Sequence, residues 1–389
     1  MSVKKKEIKP LPFPYYGLPV VFLSLAGLGD SIYLALSHYR NYTDIGYASF
    51  CAISRAINCD TVSQSPYAIF GGVPVAVWGA FGYLIVVLLS LYGFPLRSGK
   101  RDGWGLLFLI SWAFSGLSLV LAAISTFYIH SYCIMCILSY AINLMLVFYC
   151  WLIRRRFKMP SLRRSLREDL SSLWHHRVPR FVAGFLFISC LVTVVLFPPY
   201  WQFATTIPAA QLQSGETPEG HPWIGASDPK LEITEFTDYR CFQCRKMHFF
   251  LRNLVNRYPD RIRLVHRHFP MDREVNPLVK DDYHAGAARM ALLAIYAEEK
   301  GHFWKMNDAL YGAAARGGNI DLALLAEEVG FKKEELSKAL TETKSNRRKL
   351  IKDVWDGLHL GVTGTPTFII DGEEYVGQIP PEILRAYLK

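Results

Sequence analysis

The chain has 389 residues, 51% of them apolar and 14% aromatic, with a formal net charge of +10. The apolar residues arrive in long blocks and most of the basic residues lie between them, so the charge reads as membrane topology and gives nucleic-acid binding no support. No Gly-rich phosphate loop or nucleotide motif is present, which sets nucleotide-dependent chemistry aside.

Five blocks reach the length of about 20 apolar residues that a bilayer crossing requires. The first runs from Tyr16 to Leu36 behind Lys4, Lys5, Lys6 and Lys9. Its length, its Asp30 and the lack of a small-residue cleavage site argue against a cleaved signal peptide. Asp30 falls in the outer half of this span, where a carboxylate is costly and is either functional or hydrogen-bonded to a helix end. The loop from His38 to Gly72 carries only Arg40 and Arg55 as basic residues and contains Cys51 and Cys59. The second block, Val73 to Phe94, is followed by Arg97, Lys100 and Arg101. The third, Gly105 to Ile129, and the fourth, Tyr132 to Ile153, are almost continuous, so a tight hairpin turn is expected at His130 to Tyr132. Nine Lys or Arg lie from Arg154 to Arg180, ahead of the fifth block, Phe181 to Trp201. The positive-inside rule then puts the N-terminus and both basic loops in the cytoplasm. The Cys51 loop, the 130–132 turn and everything after Trp201 are expected outside.

Of the eight cysteines, six fall into three pairs: Cys51 with Cys59, Cys133 with Cys136, and Cys241 with Cys244. All three map to the outer side, which in bacteria is oxidising, so they are structural disulfides or working redox couples. A CxxC ring is too small to constrain an unfolded chain much, which favours the redox reading. Cys150 and Cys190 lie inside the fourth and fifth spans, where a lone thiol packs as a small hydrophobe.

Gln202 to Glu219, with Pro208, Ser214, Gly215 and Pro218, has the composition of a linker. Leu231 to Tyr239 then alternates like a strand and ends at Cys241-Phe242-Gln243-Cys244, and Arg245 to Tyr258 is periodic like an amphipathic helix. Cys241 thus opens a helix, whose free amides and partial positive charge favour its thiolate. Cys244, one turn deeper, is placed to resolve a mixed disulfide. Four helix-periodic stretches follow: His284 to Glu298, Gly301 to Tyr311, Ile320 to Val329 and Lys332 to Thr341. Thr365-Pro366 then precedes an apolar strand and an Asp371-Gly372 hairpin turn.

This second half resembles the thioredoxin fold, and its helical insert resembles that of DsbA-type disulfide oxidoreductases. The resemblance implies a cis bond at Thr365-Pro366 facing the CxxC, with the Thr365 backbone free to pair with an extended substrate. It also matches Glu235 to the family's buried acid beneath the active site, a candidate proton relay for Cys244, although an ordinary strand glutamate fits the position too. The Phe242-Gln243 dipeptide departs from the usual proline- or histidine-containing versions and supplies no cation beside Cys241.

In the first half, Gly27 to Tyr33, Cys51 and Cys59, Ser65-Pro66-Tyr67, Gly71-Gly72-Val73-Pro74, the membrane-end Cys133-Ile134-Met135-Cys136 and Tyr140 together resemble the vitamin K epoxide reductase family. That resemblance covers about residues 10–155. It implies a quinone of ubiquinone or menaquinone type bound between the helices near the outer surface, against Cys136, with Ser65 and Tyr140 as polar contacts and no metal. A thioredoxin-like domain behind a fifth span is common in bacterial members. Cys133, nearer the helix start, would exchange with the loop pair, and Cys136 would face the quinone; the order of Cys51 and Cys59 stays open.

The expected architecture is a four-helix transmembrane bundle over residues 1–156, then a basic loop, fifth helix and linker over 157–219, then an α/β thioredoxin-like domain with a helical insertion over 220–389. The expected function is a quinone-dependent disulfide oxidoreductase of the bacterial inner membrane. Electrons would pass from secreted or envelope proteins through Cys241 and Cys244, Cys51 and Cys59, and Cys133 and Cys136. Two alternatives are a quinone reductase serving one dedicated thiol partner and a membrane-anchored module with a four-thiolate zinc site.

Overall fold

The computed structural model describes residues 11–44, 46–47, 49–53, 57–94, 102–203, 211–281, 283–316, 320–341 and 344–388. Lys4, Lys5, Lys6, Lys9, Arg55, Arg97, Lys100, Arg101 and Pro208 lie outside the described residues. The chain divides into two compact units, 1–200 and 201–389.

Among its described residues the first unit holds five helices long and apolar enough to cross a membrane. They are α1 (Pro14–Thr43), α3 (Val75–Tyr92), α4 (Trp104–Ile124), α5 (Ile134–Arg156) and α7 (Arg177–Leu196), with the short α2 (Cys59–Ser63) and a small hairpin, β1 (Ile69–Phe70) and β2 (Val73–Pro74), between α1 and α3. Phe13, Val20, Tyr83, Val86, Trp104, Leu107, Ile142, Leu146 and Ile153 form the core of the bundle, and Cys150 packs among them as a hydrophobe. The α4–α5 hairpin closes through a π-helical turn, Ser125–Ile129, and a left-handed His130.

Helix α1 continues seven residues past Leu36, because Ser37, His38, Asn41 and Tyr42 are buried against the rest of the unit instead of facing water. The basic stretch after α5 is no simple loop. It forms α6 (Leu162–His175), whose buried Asp169 accepts from the backbone N–H groups of Gly103, Gly105 and Leu106 at 2.7, 2.9 and 3.0 Å. A carboxylate from a distant helix therefore caps the start of α4 and satisfies amides that no intrahelical carbonyl can reach.

The second unit contains a sheet of order β3-β4-β6-β5-β7-β8: β3 (Ser214–Glu216), β4 (Pro222–Gly225), β5 (Leu231–Thr237), β6 (Ile262–His268), β7 (Thr367–Ile370) and β8 (Glu373–Val376). Among the described strands only β5 and β6 pair in parallel, joined by α8 (Phe242–Arg257), which gives a βαβ unit beside antiparallel edges. Ser214 to Glu216 pair with β4 as an edge strand, so the polar stretch is structured earlier than its linker composition implies. Asp371 and Gly372 both have positive φ, the requirement of the tight β7–β8 turn. The four expected helices appear as α9 (Ala287–Glu299), α10 (Phe303–Ala315), α11 (Leu322–Val329) and α12 (Lys333–Thr341). A fifth, α13 (Lys344–His359), was not anticipated, and α14 (Pro381–Leu388) ends the chain.

Candidate functional site

In the first unit the loop after α1 is pinned at several points. Asp60 accepts from Asn41 Nδ2 at 3.1 Å and from the Ser49 backbone N–H at 3.0 Å. The Asn58 side chain caps α2 by accepting from the amides of Asp60 and Thr61, at 2.9 and 3.1 Å. The Asn58 backbone N–H in turn donates to the Tyr132 carbonyl at 2.9 Å. These bonds bring the loop against the residues that open α5. Cys51 and Cys59, joined as a disulfide with Cα atoms 5.6 Å apart, share one buried cluster with Cys133, and Cys136 packs against it.

Cys133 caps α5, its Sγ accepting from the Cys136 backbone N–H at 3.2 Å. The other side of this CxxC faces a cavity of about 320 Å³ among α1, α3, α4 and α5, lined by Cys59, Cys133, Cys136, Ser65, Tyr140 and Ser139, with apolar walls from Val75, Leu117, Leu121 and Ile124. The volume and the few polar groups on an apolar wall suit a small lipid-soluble ring. The Ser65 hydroxyl already donates to the Val62 carbonyl at 2.8 Å, leaving its lone pairs for other partners. Asp30 is 5% exposed and accepts from the Ser139 hydroxyl. A larger cavity, about 770 Å³, lies beside α6 among Asp102, Arg167, Glu168 and His175; none of the described residues lining it is a cysteine.

In the second unit Cys241 repeats the device. It caps α8, its Sγ accepting from the Cys244 N–H at 3.1 Å and donating to the Thr365 carbonyl at 3.4 Å, beside the cis Thr365-Pro366 bond. Gln243 Nε2 donates to the Gly377 carbonyl at 3.1 Å, which anchors the middle of the motif. Burial pushes the Cys241 thiol up, but the hydrogen bond with Cys244 and the cationic His284 more than offset it, leaving Cys241 below its ordinary value. Burial and the bond to Cys241 push Cys244 well above its own. The pair is thus polarised into an attacking and a resolving thiol.

His284, which the sequence did not single out, supplies the cation that Phe242-Gln243 lacks. Burial opposes charge on it, yet Asp238, 2.8 Å from Nδ1, raises it above its ordinary value. Glu235 is 1% exposed and bonded to His266 Nδ1 at 3.0 Å, with His248 Nδ1 at 3.9 Å. Burial opposes its charge, but these two histidines hold it down at about 2. His266 also reaches His268 at 3.2 Å, so Glu235 anchors a buried histidine cluster. Alternation in β6 puts His266 and His268 on one face, the one local signal for this cluster. Cys51 and Cys59, two of the thiols of the alternative zinc reading, are here bonded to each other.

The vitamin K epoxide reductase family matches residues 18–151, and a thioredoxin family matches residues 217–389. Mouse vitamin K epoxide reductase complex subunit 1 is 32% identical over 139 residues, 33% of this chain and 83% of that protein. Na(+)/H(+) antiporter NhaA 3 of Salinispora tropica is 28% identical over 162 residues, 42% of this chain; the chain spans only 23% of that antiporter's length. Among solved structures, a thioredoxin-like oxidoreductase from Silicibacter pomeroyi is 24% identical with a TM-score of 0.36, covering 44% of this chain and 91% of that one. The thiol-disulfide exchange protein α-DsbA2 of Wolbachia pipientis is 20% identical with a TM-score of 0.34, covering 43% and 84%. With its loop cysteines, its membrane-end CxxC and a family match over most of the helical unit, the chain belongs to the vitamin K epoxide reductase family and carries a thioredoxin-like domain behind it.

Proposed function

We propose that the chain is a quinone-coupled thiol-disulfide oxidoreductase of a bacterial inner membrane, making disulfides in envelope and secreted proteins on the outer face. The observation that carries this is the single buried cluster of the Cys51–Cys59 disulfide with Cys133 and Cys136, open on one side to an apolar cavity. A substrate thiolate attacks the oxidised Cys241–Cys244 pair at Cys241, the more accessible sulfur, while the Thr365 backbone lines up the substrate strand. Cys244 is released as the better-buried thiol; a second substrate thiolate then attacks the substrate sulfur of the mixed disulfide and expels Cys241, so the substrate leaves with its disulfide and the pair is left as two thiols. The reduced pair passes its electrons to Cys51–Cys59, and those to Cys133–Cys136. Glu235 holds the histidine cluster beneath β5 and β6 in place.

Cys136, Ser65 and Tyr140 would hold the quinone, which when bound supplies an acceptor for two electrons and two protons. Tyr140 and Ser65 would offer its oxygens hydrogen bonds, and the apolar walls would keep water away from the thiols.

The test is turnover of the purified chain with a reduced, unfolded, cysteine-containing protein and a soluble quinone, comparing wild type, Cys136→Ala and Cys241→Ser. The expected result is that Cys136→Ala is inactive with every reductant, whereas Cys241→Ser fails with protein thiols and keeps activity with dithiothreitol. Equal rates for all three would make the cysteines structural.

A further inference from the structure

Asp30 is a carboxylic acid inside a membrane-spanning helix, 5% exposed, where a charged side chain is costly. One of its oxygens, Oδ2, accepts from the Ser139 hydroxyl; the other, Oδ1, is fully buried and makes no hydrogen bond. Ser139 lines the same cavity as Cys136 and follows it by three residues on α5, so both lie on one helix face. The titratable groups facing Asp30 are Tyr83 from α3 and Cys133 and Cys136 at the start of α5, all within its electrostatic reach. A carboxyl group with one oxygen tied through a hydroxyl to the thiol face and the other buried without a hydrogen bond among the described residues is built to take a proton and return it.

Resting on the quinone reading above, we propose that Asp30, through Ser139, is the proton carrier between the Cys133–Cys136 dithiol and the cavity. Closing that disulfide forms one S–S bond, breaks two S–H bonds and releases two electrons and two protons. The electrons go to the quinone. Asp30 takes the Cys136 proton by way of the Ser139 hydroxyl and passes it back along the same route to a quinone oxygen; the Cys133 proton follows in turn. Both protons end on the quinol and no outside base is needed. Among the polar side chains lining the cavity, the hydroxyls and the Asn143 amide relay protons without storing them; the lining also includes the His38 imidazole, which is bonded to the Tyr200 hydroxyl at 2.7 Å, whereas Asp30 is tied to Ser139 on the thiol face of α5.

Asp30→Asn separates carrying from positioning, since asparagine keeps an oxygen for Ser139 and cannot take up the proton. The full chain in lipid nanodiscs is reduced with dithiothreitol, freed of reductant and mixed with a soluble quinone in a single turnover across pH 6–8 (about the range over which a poised carrier acts). The wild-type rate is expected to be flat with pH. Asp30→Asn should be about 10²-fold slower, with a rate that rises with pH as hydroxide replaces the carrier. Ser139→Ala should behave similarly and Ser139→Thr should restore the rate, which keeps the test open where Asp30→Asn fails to fold. A second readout uses no quinone: with no acceptor to receive the proton, Asp30 is expected to keep it when the dithiol is oxidised, so the infrared difference between oxidised and reduced chain should contain a protonated-carboxyl band that Asp30→Asn removes. Wild-type speed and pH profile in Asp30→Asn, or no such band in wild type, overturns the proposal. A wild type that shows the band but reduces no quinone overturns the quinone reading and supports Asp30 as proton acceptor of the dithiol.

Discussion

The two CxxC motifs share one local geometry and differ in everything around it. In each the first cysteine caps a helix and accepts from the amide three residues on, at 3.2 Å for Cys133 and 3.1 Å for Cys241. Around Cys241 and Cys244 the fold gathers ionisable groups: His284 with Asp238, and Glu235 with His266 and His248. Around Cys133 and Cys136 it gathers a disulfide, hydroxyls and an apolar cavity, with the Asp30 carboxyl behind Ser139. The helix end makes a cysteine reactive in both places, and the second ring of residues decides with what it reacts. A charged, hydrogen-bonding setting suits exchange with protein thiols in water. An apolar setting suits a lipid-soluble acceptor.

The largest effect expected from breaking this contrast is confined to the membrane half. A Cβ on Gly27 would run into the Tyr83 ring, and Tyr83 lines the cavity and donates to Asn143 Oδ1 at 2.7 Å. Gly27→Leu should therefore force α1 and α3 apart, at an overpacking cost of about 1–3 kcal/mol or more, and abolish quinone reduction. Exchange of Cys241 with a small disulfide, followed by mass spectrometry of the mixed disulfide, should be unchanged. Loss of both activities would show that the halves do not separate.

A change in the charged half should appear in the pH dependence of stability. Glu235 is held down at about 2 in the fold, against an ordinary carboxylate value near 4. A depressed carboxylate contributes stability above its unfolded value and loses it as pH falls through its folded one, so the loss should run from about pH 4.5 down to 2. It should amount to about 3 kcal/mol at most, because the acid shares its histidines with other groups. Calorimetry of wild type and Glu235→Gln should show the acid slope in the first and little of it in the second. An equal slope in both would assign the effect elsewhere.

The smallest effect belongs to His284. Replacing it with alanine removes the cation that helps hold Cys241 down, so the thiolate absorbance of the reduced chain should titrate at higher pH. At pH 7 the reaction of Cys241 with iodoacetamide should slow several-fold. An unmoved titration would leave the helix end and Cys244 as sufficient cause.

What could be read in advance follows from how local each cause is. The cysteine pairs, the Thr365-Pro366 step and the apolar runs are visible because spacing and hydropathy are properties of neighbours along the chain. Helix α6 was hidden because Arg163, Arg164 and Arg167 read as a basic loop, whereas its folding depends on Asp169 finding the start of α4. Helix α13 was hidden in the same way: its charged sequence buries only Leu350, Val354, Gly357 and two polar residues. His284 stands beside Cys241 only because the turn before α9 returns to Asp238, and no spacing records that. Glu235 was visible as a position, but its partners were not.

The bond from the Asn58 amide to the Tyr132 carbonyl ties main chain to main chain, so it does not depend on whether Cys51 and Cys59 are joined. When that disulfide opens, the loop has no reason to drift from the start of α5. The internal exchange is then a unimolecular event at an effective concentration in the millimolar range or above, as for two groups on a short tether. Small thiols from the surroundings would have to reach comparable levels to intercept it, so the loop acts as a kinetic filter that keeps electrons on the path set by the fold.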